Sequence, residues 1–103
     1  MVTIGAERHL VGRIKVKPKY RAEAAKLLYE AMLSSRTEPG NIYYYITSDL
    51  EDPNIFTFHD GWESAEDLER HFSHERVERT IATLQPMLDG EITMHTGMPI
   101  TGT

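Results

Sequence analysis

The feature that most constrains this chain is a hydrophobic period that shifts from two to 3.6 and back, twice along its length. From His9 to Lys17, Leu10, Ile14 and Val16 take one parity and Arg13, Lys15 and Lys17 the other, the mark of a strand with one covered face. Pro18 stands where a helix begins without losing a needed donor. From Tyr20 to Ser35 the period is helical, with Tyr20, Ala24, Leu27, Leu28, Ala31 and Met32 on one stripe. Glu38-Pro39-Gly40-Asn41 stops that helix and turns the chain. Ile42-Tyr43-Tyr44-Tyr45-Ile46-Thr47, aromatic and β-branched, predicts a second strand, and Asp49 to Asn54 a hairpin loop. A third strand runs from about Ile55 to Trp62, with Phe56, Phe58, Asp60 and Trp62 on one face.

Ser64 followed by Asp67 marks a helix start, and a short helix carries Leu68, His71 and Phe72. A second helix from near His74 presents Val77, Ile81 and Leu84 until Pro86. Asp89-Gly90 then breaks the chain before a last strand, Glu91 to Thr96. The order strand, helix, strand, strand, helix, strand is the split βαβ arrangement. It predicts an α+β, ferredoxin-like domain whose antiparallel sheet is covered by helices on one face, with the first strand between the third and fourth. The other face also carries Val11, Tyr43 and Tyr45, for which a second sheet is the natural cover. The expected organisation is a leader over 1–8, one domain over 9–97 and an irregular tail over 98–103.

At 103 residues the chain has room for one ordinary domain, and 40% apolar against 26% charged residues is the balance of a folding sequence. A net charge of −5 argues against nucleic acid, which is held by clustered Lys and Arg. There is no apolar run long enough to span a membrane and no secretory leader pattern, and cysteine is absent. Disulfide and thiol chemistry are therefore excluded, and a cytoplasmic location is expected. No phosphate loop, serine elbow, or flavin or nicotinamide motif stands out.

Glu38-Pro39-Gly40, the tyrosine-rich strand, Asp52-Pro53-Asn54, and Trp62-Glu63-Ser64 through His71 together resemble the antibiotic-biosynthesis monooxygenase family. The resemblance runs over roughly Leu10 to Thr96. It implies a homodimer whose two sheets pack into an α+β barrel, with a pocket in each subunit between sheet and helices. The family's chemistry includes cofactor-free oxidation of phenols and quinols, haem degradation, and isomerisation of a phosphorylated signalling sugar. Fold membership does not choose among these. The haem branch fits poorly, since Gly12 stands where its members carry asparagine and neither Thr80 nor Ile81 is a ligand at the place of their haem histidine.

The resemblance makes His71 the first catalytic candidate, a neutral imidazole able to take a proton from a phenol near neutral pH. The competing reading is a helix-end histidine bonded to a backbone carbonyl. Trp62, with Phe56 and Phe58, is expected either to wall a flat substrate or to be plain core. Asp60 lies between aromatics and needs a partner, His71 or an arginine such as Arg13. Tyr44 is placed to hydrogen-bond a substrate oxygen, and Arg13 to reach the site only if strand parity is reversed. His9, His59 and His95 share a parity on the opposite face, where scattered interface histidines are the simpler reading than a metal site. The expectation is a monooxygenase needing no cofactor and no metal, with a small aromatic molecule and O2 as partners. The alternatives are the sugar-phosphate isomerase and a non-catalytic small-molecule-binding dimer.

Overall fold

The structure is a computed structural model that describes residues 5–100. Residues 1–4 and 101–103, the outer parts of the expected leader and tail, lie outside the described residues. Four strands, β1 (Arg8–Lys15), β2 (Asn41–Ser48), β3 (Ile55–Trp62) and β4 (Thr93–Gly97), form one antiparallel sheet in the order β2-β3-β1-β4. Three helices, α1 (Arg21–Ser35), α2 (Ala65–Ser73) and α3 (Glu75–Leu84), belong with it, giving the expected α+β ferredoxin-like fold with β1 between β3 and β4. No helix among the described residues is long and apolar enough to cross a membrane.

The alternation in β1 is what orients the sheet. Leu10, Ile14 and Val16 are buried, whereas Val11, Arg13 and Lys15 are exposed, so one face packs and the other stays open. Two apolar clusters result. Ile14, Val16, Ala24, Leu28, Phe56, Leu84 and Met87 pack at one end, and Leu10, Tyr44, Trp62 and Leu68 at the other. Two strand ends differ from expectation by more than one residue. β1 stops at Lys15 because the next backbone donors leave the ladder: Val16 N–H bonds Asn54 O and Lys17 N–H bonds Met87 O. β4 starts at Thr93 rather than Glu91, and a single 3-10 turn, Gln85–Met87, takes the place of the end of α3.

Two local devices set the positions that matter below. Gly40 adopts φ +79°, and a Cβ there would collide with the Asp67 carboxyl, so only glycine lets this turn dock on the start of α2. Its carbonyl accepts from Glu63 N–H at 2.8 Å, which fastens the Glu38–Asn41 turn to the end of β3. At the other end of α2, His74 closes one helix and opens the next, its Nδ1 accepting from Arg76 N–H at 3.1 Å. Ser64 caps α2 as expected, accepting from Asp67 N–H.

Candidate functional site

Between the helix-covered face of the sheet and helices α2 and α3 lies a cavity of about 100 Å³. Alternation delivers Leu10, Gly12 and Ile14 from β1, Tyr44 from β2, and Phe58 and Asp60 from β3 to its wall. The helices add His71, Phe72, Val77, Ile81 and Leu84, and the chain around β4 adds Ile92 and Met94. Only Tyr44, Asp60 and His71 bring side-chain polar atoms, and the lining contains no Lys or Arg.

His71 sits in the last turn of α2 and is 4% exposed. Its ring packs 4.7 Å from Trp62, 5.2 Å from Phe72 and 5.7 Å from Tyr44, centroid to centroid. Nδ1 lies 2.9 Å from Glu38 Oε1. The other carboxylate oxygen of Glu38 accepts from Arg76 Nη2, which also reaches Ser35 Oγ at 3.3 Å. Burial lowers the His71 pKa, and the Glu38 carboxylate only partly offsets that. The ring is therefore neutral at neutral pH, with Nδ1–H donating to Glu38 and the lone pair on Nε2. A carboxylate holding one imidazole nitrogen so that the other can accept a proton is the arrangement of a general base.

Tyr44 is buried, and burial first and the Asp60 carboxylate next raise its pKa well above the usual phenol value. Its hydroxyl thus stays protonated, with the Ser35 side chain beside it as a hydrogen-bonding neighbour. Asp60, 2% exposed, accepts the Trp62 indole N–H on Oδ2 at 2.7 Å. Burial pushes its carboxyl up to about 6; the Trp62 bond opposes that rise and the Glu38 charge adds to it.

The structure brings His71, Tyr44, Asp60 and Phe58 to one cavity. It does not bring Trp62, Phe56 or Arg13 there. Trp62 is 0% exposed and stands behind His71 and Asp60 as core, so it supports the site without walling it. Phe56 belongs to the other end of the core, under the Arg21 guanidinium. Arg13 projects to the open face because the parity of β1 is not reversed, and it meets neither Asp60 nor the cavity. Asp60 partners Trp62, not His71 or an arginine. His71 bonds a carboxylate, not a backbone carbonyl. His9, His59 and His95 do share the open face. Yet His59 and His95 pair with Val11 from opposite sides, while His9 bonds Glu7 and Tyr43, and among the described residues no group of His, Asp or Glu is arranged for a metal.

Glu38 and Arg76 are the two site residues the sequence did not single out. Glu38 stands in a turn 33 residues from His71, and no local spacing pairs them. The available signal was an acid fixed immediately before Pro39-Gly40, on a turn with every reason to be rigid.

Fold and site together define a class of small α+β domains with an apolar, histidine-bearing cavity between sheet and helices. This chain belongs to the antibiotic biosynthesis monooxygenase family, whose model matches residues 8–83. It is 37% identical over 82 residues to the uncharacterized protein sll1783 of Synechocystis, a match covering 74% of this chain and 56% of that protein. The chain thus spans about half the length of the curated relative it matches. Among solved structures it resembles a conserved protein of Methanosarcina mazei with 23% identity and a TM-score of 0.85, covering 91% of this chain and 93% of that one. It also resembles an antibiotic biosynthesis monooxygenase with 20% identity and a TM-score of 0.86, covering 90% and 98%. PA3566 of Pseudomonas aeruginosa gives 20% identity and a TM-score of 0.86 over 96% and 99%. At these identities the structural likeness establishes the fold.

Proposed function

We propose that this chain is a cofactor-independent monooxygenase that oxidises a small phenol or hydroquinone to a quinone with O2, working as a homodimer. The observation that carries the reading is His71, buried in the wall of an apolar cavity with Nδ1 held by Glu38 at 2.9 Å. In such a reaction the substrate is the only reductant. His71 Nε2 takes the hydroxyl proton, and the electron-rich phenolate passes electrons to O2 as a carbon–oxygen bond forms. The oxygen–oxygen bond then breaks, one oxygen stays as the quinone oxygen, and the other leaves as water. Both hydrogens of that water come from the substrate, the hydroxyl proton and the hydrogen on the oxygenated carbon, with His71 as carrier. Tyr44 supplies a hydrogen bond to the developing phenolate, and the surrounding aliphatic side chains keep water away.

The volume favours a single ring. A cavity of about 100 Å³ is smaller than the roughly 150 Å³ that accepts benzene in an engineered protein core, so even one ring enters only as the lining yields. Met94, 53% exposed at the rim, is the adaptable side chain that yields on entry. A sugar phosphate is disfavoured, because the wall offers its phosphate a carboxylate and no Lys or Arg. The homodimer is supported by the open sheet face, where Val11 is 49% and Tyr45 56% exposed.

Isotope labelling tests the reading. With ¹⁸O2 and one-ring phenols, the expected product carries one added labelled oxygen and the second label appears in water. Release of hydrogen peroxide with an unlabelled product, or no product, would contradict it.

A further inference from the structure

We propose that Asp60 reads the substrate, so that the cavity selects a phenol carrying a second hydrogen-bond donor, an O–H or N–H delivered to Asp60 Oδ1. This rests on the phenol reading and adds to it the residue through which a second donor on the ring is recognised.

The argument begins with an unmatched atom. Asp60 Oδ1 is the one buried side-chain nitrogen or oxygen among the described residues with no hydrogen-bond partner. Buried polar atoms are almost always paired, so an orphan calls for an explanation, and a carboxylate oxygen more than most. No ion pair among the described residues includes Asp60. Its register neighbours are Leu10 on β1, with no polar side-chain atom, and Tyr44 on β2. Trp62 takes only Oδ2, and that short bond fixes the carboxylate's orientation while Trp62 itself stays outside the cavity wall.

Asp60 borders the cavity beside Tyr44 and His71. An ionised carboxylate only accepts, so the complement of Oδ1 is a donor on the ligand. Those three residues then divide the work. His71 and Tyr44 handle the hydroxyl that is oxidised, and Asp60 takes a different donor of the same small ring. Oδ1 is already shut off from water, so a ligand without that donor leaves it unpaired, whereas one that brings the donor adds a hydrogen bond to a charged group.

The test compares two ligands of equal shape, hydroquinone and p-cresol, in which a methyl replaces one hydroxyl. Affinities are measured by equilibrium dialysis under nitrogen with the full chain, so that binding is separated from turnover. Hydrophobic transfer alone favours p-cresol. The proposal instead expects hydroquinone to bind roughly ten- to a hundredfold tighter, the worth of a hydrogen bond to a charged group. Asp60→Asn keeps an acceptor for the Trp62 indole and removes the charge, and the preference should fall to about threefold or less. A purely structural Asp60 leaves the ratio unmoved. Equal or weaker binding of hydroquinone by the unaltered chain, or an unchanged ratio in Asp60→Asn, overturns the inference and leaves the phenol reading standing. Binding of neither ligand overturns both.

Discussion

Asp60→Asn should make the protein more stable above neutral pH, and the size of the gain follows from the burial of the carboxylate. A folded-state pKa raised from 3.8 to about 6 means that folding favours the protonated acid. That favourable contribution is complete below about 3.8 and is lost as pH rises through about 6. At pH 8 the ionised side chain therefore opposes folding by about 3 kcal/mol relative to its protonated form. Asparagine removes the charge and retains an acceptor for the Trp62 N–H, but it leaves an amide N–H without a partner. That residual cost takes back part of the gain, leaving about 1–2 kcal/mol. In a domain of this size the melting temperature should rise by roughly 5–10 °C at pH 8. At pH 4.5, where the folded wild-type carboxyl is protonated, the gain should be lost and the variant should be no more stable than wild type. His71 and Tyr44 neighbour the position in both proteins, so their own titrations cancel to first order in the comparison. Thermal melts at both pH values, at one fixed protein concentration, provide the measurement. A variant no more stable than wild type at pH 8 would refute the reasoning, because Asp60 would then not be a buried, under-satisfied charge.

Other consequences are more local. Glu38→Gln should lower turnover by roughly 10- to 100-fold, the usual effect of losing a residue that orients a functional imidazole. Because that carboxylate raises the His71 pKa against burial, its loss should also move the acidic limb of the pH–rate profile to lower pH, which steady-state kinetics across pH would show. Gly61→Ala should destabilise the fold by about 1–3 kcal/mol, since a Cβ there would collide with the Tyr43 ring; a denaturant midpoint unchanged from wild type would count against that packing. Ile81→Trp fills the cavity from α3 and should abolish binding of one-ring phenols, which equilibrium dialysis would reveal.

The parts of the fold readable in advance were those written in periodicity. The alternation of Leu10, Ile14 and Val16 against Arg13 and Lys15 set the orientation of β1, and with it the side of the sheet on which the cavity forms. Shared parity with Phe58 and Trp62 put Asp60 on that side, and Tyr44 pairs with it across β2 and β3. Alternation alone would set Ile42 on the face of Tyr44, and there it fails. Ile42 is 47% exposed because the register slips between Asn41 and Tyr43. Parity also says which face a residue takes but not how far along the face the cavity reaches, which is why Phe56 and Trp62 were grouped with Phe58. Partners were harder. The Glu38–His71 and Glu38–Arg76 contacts join a turn to two later helices, and such pairings are set by tertiary docking around Gly40 that no short window contains.

Oxygen uptake tests the central claim most directly. The purified chain and His71→Ala are placed in an oxygen electrode with a one-ring hydroquinone, the variant's fold being verified by circular dichroism. The account predicts uptake well above autoxidation for the unaltered chain and a loss of ~10² or more in the variant, the scale of a general base. Uptake no faster than autoxidation, or equal rates in the two folded proteins, would contradict it.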